Sequence, residues 1–270
     1  MLSDPAGADS ELPDIDDRLV EPGTPYEMYD GELVHVPPAD PPHGERQLRL
    51  CALLAAHTGS AFQAACDLLT RTSKLDDIAP DASVYPAARD PRTGRRQLEQ
   101  LAFEVVSTQT LAHAARKAAK LAGRGVRRVF AIDVERSRAL EWSQALGAWC
   151  PLDAAGHIVD PALEVPLPLE ALIHSARTDD TVARALVAKH NPVIEAIRAE
   201  DRAEGRAEGR AEGRAAGLAD AVIALLASRG VPIDRMERDR SVGERDPARL
   251  ERWIVRAIAC TSVAELISEP

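Results

Sequence analysis

The sequence predicts an α/β fold followed by a helical extension, and three observations carry that prediction. Short apolar runs with β-branched and aromatic residues, at 81–86, 101–106 and 126–133, read as strands. A stretch of helical periodicity, 111–124, lies between the last two, a strand–helix–strand spacing that suits a crossover in a mixed sheet with helices against it. After about residue 178 the strand-like runs give way to long helix-forming sequence.

The chain has 270 residues, 45% hydrophobic and 28% charged, which fits a globular protein with one good core and an appendage. Aromatic residues make up only 3%, so Leu, Val, Ile and Ala must fill the core. Cys51, Cys66, Cys150 and Cys260 show neither Cys-x-x-Cys spacing nor metal-ligand clustering, a pattern suited to free thiols in a reducing cytosol. The amino-terminal stretch lacks the basic and apolar regions of a secretory signal, and no apolar run is long enough to span a bilayer. The expected location is cytoplasmic, without membrane partners. The net charge is −10, yet it is unevenly spread: between His113 and Arg138 eight Lys and Arg residues face two acidic ones, while ten acidic residues precede Leu33 against Arg18 alone. Acid at one end therefore does not exclude nucleic acid at the other.

Residues 1–21, rich in Asp, Pro and Gly, predict a disordered acidic lead-in. Asp30-Gly31 between Tyr26–Tyr29 and Glu32–Val36 is a strong hairpin signal. Prolines 37, 38, 41 and 42 break the chain, and a helix follows over about 43–57, with Leu48, Cys51, Ala52 and Ala55 on one side. Strands are expected over 61–70 and 81–86, joined by the polar stretch Thr72–Asp77, then a turn-rich loop over 88–94 and the strand Leu101–Val106. Thr110 is placed to cap a helix from Leu111 to Arg124, with Gly125 ending it. Strands over 126–133 and 138–142 complete a domain drawn at 22–178.

Residues 179–217 predict a helical spacer, softly interrupted at Asn191-Pro192. Within it Ala-Glu-Gly-Arg recurs from Ala203 to Arg214. Four residues advance a helix by about 400°, so each residue type forms a slowly drifting stripe. Glu and Arg never fall three or four apart, and the glycines weaken the helix, so a solvated spacer is favoured over a close-packed Gly/Ala seam. Residues 218–270 place Val222, Leu225, Leu226, Leu250, Trp253, Ile254 and Ile258 at helical spacing, a small interaction module suited to homo-oligomers.

One residue breaks the pattern of the strand Leu101–Val106. Glu104 puts a carboxylate where only apolar side chains belong, which is costly unless a metal, a cation or hydrogen bonds compensate it. Asp81 heads another strand, and if the two strands are neighbours both carboxylates can meet one divalent ion. Taken alone, Asp81 also suits a turn or cap, and Glu104 a buried ion pair. Lys117 lies on the following helix, where His113, Lys117, Lys120 and Arg124 share a face that could simply be solvated. Beside a metal it would stabilise charge on a phosphorane-like transition state. His43 and Glu32 are secondary candidates. No P-loop, dinucleotide-binding or esterase signature is present.

The ordered set Tyr26-Glu27-x-x-Asp30-Gly31-Glu32-Leu33-Val34, Pro37-Pro38, His43-Gly44, Pro80-Asp81, Phe103-Glu104-Val105-Val106-Ser107, Lys117 and Gly125-Val126 through Ile132-Asp133 resembles the Uma-type restriction endonuclease family of the PD-(D/E)XK superfamily. The resemblance covers roughly residues 22–145. It implies a restriction-endonuclease-like mixed sheet, Mg²⁺ (or Mn²⁺) dependence and hydrolysis of DNA phosphodiesters, in a setting of defence or mobile elements. Asp81 and Glu104 would be the metal carboxylates. Val106 stands where the superfamily lysine usually falls, which points to Lys117 on the next helix. The Ser-Pro-Ser-Thr usual after the glutamate strand is here Ser107-Thr108-Gln109-Thr110. Lys120, Arg124 and Arg127 are then the expected nucleic-acid contacts. The alternative is a catalytically idle nuclease fold that serves as a DNA-binding or protein-interaction module.

Overall fold

A computed structural model describes residues 12–107, 110–174 and 177–268 of the chain. It divides into two compact units, one up to Asn191 and one from Pro192 onward.

The first unit is a mixed α/β domain. Strands β1 (Tyr26–Tyr29) and β2 (Glu32–His35) form the hairpin, with Asp30 and Gly31 at φ 51° and 84°, the left-handed pair that a tight two-residue turn requires. Helix α1 (Pro41–His57) starts at Asp40, whose carboxylate caps the His43 N–H, with proline in the first turn where no N–H is missed. Then come β3 (Phe62–Cys66), β4 (Thr70–Arg71), β5 (Asp77–Ile78), β6 (Ala82–Pro86) and β7 (Leu101–Val106). Helix α2 (Leu111–Arg124), capped by Thr110 and ended by Gly125 at φ 114°, leads into β8 (Arg128–Asp133), β9 (Arg138–Ser143) and β10 (Ala148–Pro151). Short strands β11 (His157–Ile158) and β12 (Leu167–Pro168) precede α3 (Leu169–Ile173) and α4 (Thr178–Ala188).

The main sheet runs β10-β9-β8-β7-β6-β3. Only β7 and β8 are parallel, joined through α2; the other neighbours are antiparallel. A smaller sheet, β2-β1-β5-β4, brings the hairpin beside the chain that enters β6. On one face of the main sheet, Leu50, Leu53 and Leu54 of α1 pack with Phe103, Val105, Phe130 and Ile132. On the other, Ala118 and Leu121 of α2 pack with Ala102 and Val129, and Ala114 with Val106 and Ala131. Glu104 alternates onto that second face.

Several expectations need correction. The buried side of α1 is His43, Leu50, Leu53, Leu54 and His57; Leu48 is 72% exposed. The sheet contacts the branched leucines, which bury more apolar area than the alanine row. Residues 12–21 are not a loose lead-in: Ile15 and Val20 are buried, and the Leu19 and Val20 N–H groups donate to Asp77 Oδ2 at 2.9 and 3.2 Å. The remainder of that expected segment, 1–11, lies outside the described residues. Cys51 and Cys66 are joined by a disulfide between α1 and β3, which removes the thiol argument for a reducing compartment. Strand β5 begins at Asp77, the last residue of the expected connection 72–77, and α4 belongs to the first unit, with Val182 against its core and Ala185 buried, rather than beginning a spacer.

The second unit opens with α5 (Pro192–Ser228), whose repeat 203–214 is helical and wholly exposed. Its later turns bury Ala215, Ala219, Val222 and Leu226 against Leu250, Trp253 and Ala257 of α7 (Pro247–Ala257). Helix α6 (Arg235–Gly243) begins with a reciprocal capping box between Asp234 and Glu237, and α8 (Val263–Ile267) closes the small core with Leu266 and Ile267. Leu225 and Ile254 are partly buried there, and Ile258 is exposed. No described helix is long and apolar enough to cross a membrane.

Candidate active site

Register decides which side chains meet. In the antiparallel β6–β7 pair Ala82 faces Phe103, so the residue before β6, Asp81, falls opposite Glu104. Asp81 Oδ2 accepts the Val105 N–H at 2.5 Å, which fixes its carboxylate beside the peptide that follows Glu104. On α2, the small residues Ala114 and Ala118 let the helix sit close to the sheet. Lys117 shares their buried side, not a solvated one, and its Nζ stands 3.1 Å from Glu104 Oε2. The ammonium also donates to the Ala79 carbonyl at 2.5 Å.

A third carboxylate comes from β1. Glu27 Oε1 lies 3.4 Å from Lys117 Nζ and accepts the Ala79 N–H at 3.0 Å, while Oε2 accepts the Tyr29 hydroxyl at 2.6 Å. Sequence reasoning did not single out Glu27. The signal was present: Glu27 and Tyr29 alternate onto one side of a hairpin strand, so a buried tyrosine implies a buried glutamate. Glu32 is exposed on β2 and is not part of this group. His43 is buried, with Nε2 3.4 Å from Asp81 Oδ1. Gln47 Nε2 holds the neighbouring backbone by donating to Asp81 O and Asp67 Oδ1 at 3.0 and 2.8 Å.

The charges follow from this packing. Burial, partly offset by Lys117, pushes the Glu104 carboxyl well above the usual range. Burial works against the Lys117 ammonium, yet Glu104, Glu27 and Asp81 outweigh it and hold its pKa above the ordinary lysine value. Asp81 is desolvated too, but the His43 hydrogen bond, Lys117 and the Val105 N–H bring its pKa down. Its partner His43 is shifted up, chiefly by the hydrogen bond to Asp81. His113, on the rim, is shifted down by burial and by Lys117.

The residues present fit a hard divalent cation. Asp81 and Glu104 fall opposite one another across the β6–β7 pair, and Glu104 Oε1 is buried with no hydrogen-bond partner. Among the described residues no cluster of three or more ligands is pre-assembled, so water and a phosphate would complete the shell, as magnesium commonly accepts.

The expected nucleic-acid contacts are otherwise engaged. Lys120 bridges Asp30 and Asp76, each at 2.7 Å; Arg124 donates to the Pro13 carbonyl at 2.5 Å; Arg127 pairs with Asp160. These partners come from the β1–β2 turn, the segment before β5, the segment before the hairpin and the segment after β11, distant in sequence from the cations.

Asp81 and Lys117 of this mixed α/β domain line one cavity, with Glu104 beside the lysine. The chain belongs to the Uma2 family, described as "Putative restriction endonuclease", whose model matches residues 11–172. Among solved structures, the chain is similar to one titled as a "putative nuclease belonging to DUF820" from Anabaena variabilis, at 14% identity and TM-score 0.46, over 55% of this chain and 89% of that one. No curated protein matches the chain.

Proposed function

We propose that the chain is a metal-dependent endodeoxyribonuclease in which Asp81 and Glu104 hold Mg²⁺ or Mn²⁺ and Lys117 acts on the scissile phosphate. The observation that carries this reading is the Lys117 ammonium, buried against Glu104 with Asp81 alongside, on the floor of an open cavity that Asp81 and Lys117 both line. A divalent ion held by the two carboxylates would supply Lewis acidity toward a phosphoryl oxygen and favour hydroxide over water.

The protein's own groups do the rest. Lys117 keeps its proton because three carboxylates surround it, so it meets the phosphate as a fixed cation. Held by buried partners, that charge stabilises the negative charge that builds on the phosphoryl oxygens. Ala79 O and Glu27 hold the ammonium in place before substrate arrives, which lowers the cost of reorganisation. His43 and the Val105 N–H keep the Asp81 carboxylate ionised and oriented.

The test is cleavage of supercoiled plasmid by purified protein with Mg²⁺, Mn²⁺ or a chelator, alongside Glu104→Gln and Lys117→Met. Cleavage that needs the metal and vanishes in both variants supports the reading. No cleavage by wild type, with DNA binding retained, would leave the idle nuclease fold. Equal cleavage by wild type and variants would point to a contaminant.

A further inference from the structure

We propose that the cavity above Lys117 is a pocket for one unpaired nucleobase, so the substrate is single-stranded or locally unpaired DNA rather than an uninterrupted duplex. This rests on the nuclease reading and narrows its substrate. The cavity measures about 380 Å³ and is lined by Asp81 and Lys117 among others. That volume suits a single small-molecule-sized group.

Depth is the first argument. The Glu27, Glu104 and Lys117 side chains are only 7%, 3% and 7% exposed. A duplex presents its phosphates on the outside of a wide, convex rod, a shape that fits such a recess poorly while both strands stay paired. An unpaired nucleotide enters such a recess more readily than a paired one, and the unstacking cost is least where pairing is already absent.

Chemistry is the second. Pro22, Pro25, Val36 and Leu69 supply apolar wall that suits the flat face of a base. Four acidic residues line it, Glu21, Glu27, Asp67 and Asp81, against Arg18, Lys117 and the histidine His113. Such walls repel a run of phosphates and tolerate a neutral base, leaving one phosphate for the carboxylate and lysine end.

The third argument is what duplex binding would need. Affinity for a duplex comes largely from Lys and Arg contacts to successive phosphates. Lys120, Arg124 and Arg127, the cations that follow the site in sequence, are held by Asp30 and Asp76, by Pro13 O and by Asp160. Each would have to give up an intrachain partner to take a phosphate.

The test uses the full chain and three fluorescent DNA probes of one sequence: a single strand, a blunt duplex, and a duplex with a central two-nucleotide bubble. Binding is measured by anisotropy with Ca²⁺, and cleavage with Mg²⁺. The single strand and the bubble are expected to bind at least tenfold tighter than the blunt duplex, with cuts mapping beside the bubble. A 2-aminopurine in the bubble should change its emission on binding. Thr24→Trp, at an exposed position lining the cavity, should cut the preference to under twofold without shifting the melting temperature. Equal binding and cutting of blunt duplex and bubble would overturn the pocket and leave the nuclease reading intact. Bubble-selective binding lost in Thr24→Trp, with no probe cut, would sustain the pocket and sink the hydrolase. An unchanged preference in Thr24→Trp would also overturn it.

Discussion

Glu27 of the amino-terminal hairpin stands 3.4 Å from the Lys117 ammonium through one oxygen, while its other oxygen accepts the Tyr29 hydroxyl. Two glutamates thus share one buried lysine. If a cation draws the charge of Glu104, Glu27 still compensates Lys117.

Glu27→Gln should therefore weaken DNA cleavage while sparing metal binding. A hydrogen bond to a charged group contributes about 1.5–3 kcal/mol, which corresponds to a loss in kcat of roughly tenfold to a hundredfold. Glu27→Asp should recover part of it, and Mn²⁺ affinity by calorimetry should change less than twofold. Unaltered kcat in Glu27→Gln would deny it a positioning role.

Glu104→Gln should stabilise the metal-free protein. The folded-state pKa of Glu104 is raised, chiefly by burial, so its contribution is fully favourable only below the unfolded value of 4.5 and declines as pH rises through the folded value. At neutral pH the neutral amide avoids that cost. A gain of about 1 kcal/mol would lift the melting temperature by roughly 2–4 °C in chelator. A lower melting temperature would show that the Lys117 pair outweighs desolvation.

Two histidines on α1 should titrate in opposite senses. His57, whose Nδ1 is 2.7 Å from Leu53 O, has its pKa lowered from 6.5, first by burial. Its stabilising effect is present above 6.5 and is lost as pH falls through the lower folded value. His43 is raised from 6.5 by Asp81, so its contribution is present below 6.5 and is lost as pH rises through the higher folded value. Urea unfolding from about pH 5 to about pH 8 should show a shallower acid-side fall in His57→Gln and a shallower alkaline-side fall in His43→Gln. Identical profiles for all three proteins would contradict both assignments.

The Cys51–Cys66 bond predicts two titratable thiols, Cys150 and Cys260, in the denatured unreduced chain and four after reduction. The bond spans a separation of 15 residues, and closing such a loop is worth about 3 kcal/mol, so reductant should lower the melting temperature clearly. Four reactive thiols without reductant would remove the bond.

A chain ending at Asn191 should fold, because α4 packs through Val182 and Ala185 on the first unit and the second unit has its own core. We also propose that the second unit drives self-association, so the truncated chain should have a lower oligomeric state by light scattering. An unchanged state would take the tail out of assembly.

Local signals carried much of the fold. Asp30-Gly31, Thr110 with Gly125, and the apolar runs around Glu104 each specify their own conformation, so the hairpin, α2 and β7 were legible from neighbouring residues alone. A carboxylate in an apolar strand likewise marked Glu104 without any structure. What tertiary structure decided was which long side chains meet. The periodicity of α2 could not say whether Lys117 faced water or the sheet; Ala114, Ala118 and Leu121 settled it by packing. Glu27 joined Lys117 only because β1 pairs with β5, next to the chain entering β6. Lys120, Arg124 and Arg127 gain partners, Asp30 with Asp76, Pro13 and Asp160, that no local pattern announces. Charges act through space and secondary structure is specified along the chain, so sequence gives the elements and the lone misplaced carboxylate, while only the folded chain assigns each charge its partner.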